Sequence, residues 1–195
     1  MATYIPLGKI PKSPEERTQL LAKQVETEEY LSQVELTHIQ RLVIDFLISK
    51  KGYLAEDIEI NRFFNITLPD ICFNVNADVV VKSNEKRLLV IKCAINSLES
   101  WERHSIAFGR AAGHYQIPYA IVTDGKIARL LDVTKGQLIA SGGIDELMPS
   151  KEKIQKMAEE VIFMPYSENR SEKEKRILYA FDAIRYSVSF CETEK

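Results

Sequence analysis

The residues able to do chemistry are few in this chain. The three histidines, His38, His104 and His114, fall at unrelated spacings in helical stretches, so each reads as a surface or packing residue. Cys72, Cys93 and Cys191 are an odd number, far apart and without a CxxC pair, implying neither a disulfide framework nor a zinc site. Cys93 shares a strand face with Ile91 and Ile95, which marks it as a buried thiol. Trp101 opens a helical stretch and reads as a packing anchor. No phosphate-cradling GxxxxGKS/T or GxGxxG stretch occurs, and neither HExxH nor GxSxG is present. What remains is a charged pair on two successive apolar runs, Asp78 in NADVVV and Lys92 in LLVIKCA. Read on its own, Asp78 caps a turn or pairs with Lys92.

Composition limits what such residues can serve. The chain has 195 residues and net charge −2, with 45% hydrophobic and 28% charged residues, the mixture of a globular protein with one full core. Asp45 and Lys92 interrupt the two most apolar runs, so no membrane-spanning helix is expected. The opening MATYIPLGKIPK lacks the apolar segment of a secretory signal, and a cytoplasmic location is the expectation. With this charge, any nucleic-acid contact must rest on a local basic patch.

The elements that would position these residues follow from pattern. Residues 1–31 read as an irregular arm and a short helix opened by Ser13-Pro14-Glu15-Glu16. Ser32-Gln33-Val34-Glu35 then opens a second helix with the stripe Leu36, Ile39, Val43, Phe46, Leu47, closed by Gly52. IEINRFFNI, ICFNVNADVVV and RLLVIKCA give three successive strands, a meander. SWERHSIAFGRAAGH returns to helix, its two glycines suited to lying close against a sheet. IPYAIVT and KIARLLDV flank Asp124-Gly125 as a two-residue hairpin, and Gly142-Gly143 ends the region. A C-terminal helical extension, 150–195, carries the stripes Ile154, Met157, Ala158, Val161 and Ile177, Phe181, Ile184, Val188, the second capped by Ser171. The expected class is α/β (α+β), with a mixed central sheet flanked by helices.

This order, with LISKKGY, NADVVV, LLVIKCA and GHYQIPYAIVTDGKIARLLDV, resembles the PD-(D/E)XK nuclease superfamily. More closely, residues 32–149 resemble the N-terminal nuclease domain of type I restriction enzyme R (HsdR) subunits. The resemblance implies a restriction-endonuclease-like fold and a Mg²⁺-dependent hydrolase of phosphodiesters. In that chemistry an Asp and a Glu on neighbouring strands hold Mg²⁺ against the scissile phosphate. A Lys two residues beyond the Glu, on the same strand face, stabilises the developing charge.

Asp78 falls on the metal-binding aspartate. The next strand departs: in one register Lys92 stands at the glutamate and Ala94 at the lysine. In a second register Lys92 is the catalytic lysine and position 90, a valine, has lost the acid. The family's Gln-x-x-x-Tyr falls on Ala111 and Tyr115, and its first-helix acid falls near Thr37. Acids displaced to other elements are then Glu35, Glu99 and Glu102.

Three functions follow. The first is a free-standing, catalytically degenerate relative, a pseudoenzyme that associates with DNA through Lys82, Lys86, Arg87, Lys92, Arg103 and Arg110, without a motor and without ATP. The second is an active Mg²⁺-dependent endonuclease using displaced acids. The third is a non-enzymatic interaction or regulatory module whose C-terminal stripes either pack back on the domain, the favoured expectation, or form a homodimer.

Overall fold

A computed structural model of the chain describes residues 13–185, with side chains to residue 182. Val188 and Cys191 lie outside the described residues, as does the side chain of Ile184.

The first helix, α1, runs unbroken from Pro14 to Lys51. Ser13 caps it by accepting the Glu16 amide at 3.2 Å, and Gly52, at φ 77°, closes it in the left-handed conformation that glycine tolerates best. This corrects the expectation of two helices meeting at residue 32. The Ser32–Glu35 capping pattern follows helix-forming residues with no glycine or proline to stop them, so the helix passes through it. Thr27 and Thr37 spend their hydroxyls on the carbonyls of Lys23 and Gln33 one turn back.

After a 3-10 turn at Ala55–Asp57 come β1 (Ile58–Thr67), β2 (Cys72–Ser83) and β3 (Lys86–Cys93), the antiparallel meander expected from their β-branched content. Asn84 and Glu85, at φ 48° and 63°, form the β2–β3 turn with both central residues left-handed, the type I′ geometry of tight hairpins. Helix α2 (Glu99–Ala111) crosses over to β4 (Tyr119–Thr123), which pairs parallel with β3. Strand β5 (Ile127–Asp132) returns antiparallel, with Gly125 at φ 89° as the first central residue of the turn, so Gly125-Lys126, one residue on from the expected pair, makes it.

A sixth strand, β6 (Gln137–Gly143), which the sequence reading did not foresee, runs up to the Gly142-Gly143 pair at which that reading ended the region. Its mixed, largely exposed side chains give little alternation to read. Short α3 (Ile144–Leu147), then α4 (Lys151–Glu160) and α5 (Glu168–Arg185), complete the chain. Helix α5 begins one turn before Ser171, and its fully buried residue is Leu178, with Ile177 and Phe181 partly covered.

The six strands lie in chain order, β1 to β6, between two apolar layers. One, around Phe73, Val80, Phe108 and Leu178, joins the sheet to α2 and α5. The other, around Val43, Leu47, Val79 and Ile154, joins it to α1 and α4. The α/β class with a mixed sheet flanked by helices is what the sequence predicts. One expectation fails at Cys72, which is half of a disulfide. Wide sequence spacing does not limit how closely two thiols approach in a folded chain.

Candidate active site

The site grows from a change of phase in two neighbouring strands. In β2, Phe73, Val75 and Ala77 face the α2 layer, whereas Val79 and Val81 face the α1 layer. In β1, Phe64 and Ile66 belong to the α2 layer and Ile58 to the other. A regular strand keeps alternate residues on one face, so both strands must reverse between these points. The reversal in β1 is visible at Asn61, whose φ of 50° is left-handed in mid-strand. Asparagine tolerates that region better than any β-branched neighbour would. Register sets Asn61 against Asp78, since Ile60 lies opposite Val79 and Arg62 opposite Ala77.

At Asp78 the sheet also forks. The β2–β3 ladder ends at Val79 opposite Ile91, and beyond it Lys92 and Cys93 pair only with Val122 and Thr123 of β4. The Asp78 carboxylate spans the fork. It accepts the Cys93 amide at 2.8 Å and the Lys92 ammonium at 3.0 Å. Gln40 of α1 donates to the Asp78 carbonyl at 2.6 Å and to the Asn61 side-chain oxygen at 2.9 Å. Lys92 lies over the Trp101 ring at 5.1 Å, and Trp101 is buried against Phe181, as a packing anchor should be. The side chains of Lys92 and Asp78 are only 12% and 17% exposed, so the pair is poorly screened by water.

The displaced acids go elsewhere. Glu35 is exposed on α1. Glu99 and Glu102, at the start of α2, both bind Arg129 of β5, Glu99 at 2.9 Å. Its own amide and then the Ser97 hydroxyl hold the Glu99 carboxyl below the usual carboxylate value. Among the described residues no three His, Cys, Asp or Glu side chains gather where a metal ion could sit. A Mg²⁺ ion does not fit the donors present: one carboxylate already holds an ammonium, and the α1 residue beside it is an amide.

Most of the six basic residues expected to contact nucleic acid are engaged within the fold. Arg87 forks onto Glu59 at 2.6 and 3.1 Å, and Lys86 lies over the rings of Tyr115 and Phe163. Arg103 and Arg110 both bind buried Glu174 of α5, at 2.6 and 3.0 Å. Lys92 is held by Asp78, and Lys82 sits half-buried near Asp57 and Glu59. His38 and His114 are exposed, and His104 is buried with Asp182 at 3.5 Å. Burial pushes the Cys93 thiol far up, so it stays protonated.

Gln40 and Asn61 are the site residues that sequence reading misses. Asn61 carries a weak signal, one of two amides, with Asn65, in the Ile- and Phe-rich run IEINRFFNI; Gln40 carries none beyond its place between Ile39 and Val43.

A mixed sheet forked at an aspartate, with a lysine on the adjoining strand and a helix crossing over beside it, is consistent with a nuclease-like domain. The chain belongs to the family described as type I restriction enzyme R protein N terminus, which it matches over residues 38–147, more than half its length. No curated protein and no solved structure matches it. Among the described residues no helix is long and apolar enough to cross a membrane.

Proposed function

We propose that this chain is a non-cutting member of the family that associates with DNA. The observation that carries the reading is the engagement of Asp78: one carboxylate oxygen accepts the Lys92 ammonium and the other the Cys93 amide. An ammonium beside a carboxylate supplies the positive charge that a cation would otherwise bring, and binding Mg²⁺ would require displacing it. Gln40, an amide in the position from which α1 reaches Asp78, adds no charge to attract the ion.

DNA association on this reading is electrostatic and weak, because Arg87 is paired with Glu59 and Arg103 and Arg110 share Glu174 inside the fold. Binding should therefore fall as salt rises, with the shallow slope of a few phosphate contacts.

Incubation of supercoiled plasmid with the chain and either Mg²⁺ or Mn²⁺ is expected to leave the plasmid intact. Cutting that Asp78→Ala abolishes would overturn the reading and direct attention to Glu35, Glu99 and Glu102. Fluorescence anisotropy with a labelled duplex at rising salt tests the second half. Absent or salt-insensitive binding would remove DNA from the proposal.

A further inference from the structure

Two arginines of α2 are held by an acid that lies beyond the family match. Arg103 and Arg110 stand two turns apart on α2 and so share one face of it. Both converge on one carboxylate, Glu174 of α5, whose side chain is only 5% exposed: Arg103 pairs with it at 2.6 Å and Arg110 at 3.0 Å. The matched stretch, 38–147, contains α2 and stops before α5.

The two guanidiniums depend on that acid to different degrees. Arg110 is largely buried, donates also to the Val133 and Thr134 carbonyls at 2.9 and 3.3 Å, and lies over the Tyr166 ring. These contacts keep it in place with or without Glu174. The side chain of Arg103 is 46% exposed, and among the described residues Glu174 is its one partner. A half-exposed guanidinium can serve a phosphate with the same fork of donors that it offers a carboxylate, so here its charge is taken up from inside the fold.

We propose that Glu174 makes an autoinhibitory contact, competing with a nucleic-acid phosphate for Arg103. The inference rests on the DNA reading above and supplies its regulation: α5 sets how much of the positive charge of α2 is available, and binding strengthens when Glu174 is neutralised.

The test compares Glu174→Gln with Glu168→Gln, which removes the same charge from an exposed position of the same helix without releasing an arginine. Heparin shares with DNA only its polyanionic charge. On a heparin column Glu174→Gln is expected to elute at higher salt than both the wild type and Glu168→Gln, and adding Arg103→Ala is expected to cancel the gain. Equal elution of the two single variants overturns the proposal, since net charge alone would then account for the effect. So does a gain that survives Arg103→Ala. With a labelled duplex, Glu174→Gln is expected to steepen the salt slope by about one, the value of one added phosphate contact. A heparin gain with no duplex binding by any variant would overturn the DNA reading while supporting the withheld arginine. Should Glu174→Gln lose helix content by circular dichroism, phenylglyoxal modification of the wild-type chain decides, read by peptide mass spectrometry. Arg103 is expected to react more slowly than Arg170, an exposed arginine of α5 with no acid partner among the described residues. Equal or faster reaction of Arg103 overturns the proposal.

Discussion

The carboxylate of Asp78 does work ordinarily done by a main-chain carbonyl: it accepts the Cys93 amide just where the β2–β3 ladder stops. Removing it takes the acceptor from a strand amide and the counter-charge from a mostly buried ammonium. Asp78→Ala should therefore cost about 3 kcal/mol, the low end for breaking a buried ion pair from one side. Asp78→Asn keeps an oxygen for the Cys93 amide and should cost less, about 1 to 2 kcal/mol. Urea denaturation of the three chains checks the order, and equal midpoints would mean that the carboxylate has no part in holding the fork. The same reasoning makes Asp78→Asn the better control in a cleavage assay, because it removes charge while sparing the strand end.

At the scale of elements, α2 shows how a single missing atom sets a distance. A Cβ placed on Gly109 would lie 2.8 and 2.9 Å from the two Val133 methyls and 3.0 Å from the Ile117 carbonyl, which are closer than such contacts allow. Alanine in a helix interior is worth up to about 1 kcal/mol over glycine, but overpacking of this kind costs about 1 to 3 kcal/mol, so Gly109→Ala should destabilise the chain. A thermal midpoint at or above that of the wild type would contradict this. The close approach was legible in the sequence, as were the β1–β3 meander, the β4–β5 hairpin and the crossover helix, because each rests on local pattern and turn chemistry. Gly113 differs: it lies past the end of α2 and serves no such contact. The break expected at Ser32 was misread because a capping pattern marks a start only when something upstream stops the helix. Strand β6 was missed because an exposed edge needs no alternation. The Asp78–Lys92 pair could be anticipated from two adjoining strands, whereas Gln40 and Asn61 joined it through a tertiary approach and a backbone reversal that no periodicity records.

Across the whole molecule, charged forks tie distant parts of the sheet. Arg87 of β3 reaches over to Glu59 of β1, and its hydrogen bonds hold the Glu59 carboxyl below 4.5, against the opposing effect of burial. A carboxyl depressed in the folded state contributes stability that is complete above its unfolded value and is lost as pH falls through the folded one. The stability difference between the wild type and Glu59→Gln should thus be greatest at neutral pH and shrink below about pH 4.5. Parallel urea midpoints from pH 7 to pH 3, with no narrowing, would show that this fork carries no linkage. The order of strands bears on how such ties come to be made. Because β1 to β6 stand in the sheet as they stand in the chain, each half of the sheet, β1–β3 and β4–β6, closes through short turns between immediate neighbours, and only the parallel seam between β3 and β4 must wait for α2 to cross. Asp78 and Lys92 both belong to the first half. Their meeting needs nothing that lies further along the chain, while the tryptophan that covers Lys92 arrives with the crossover; in time, the pair comes first and its shelter second.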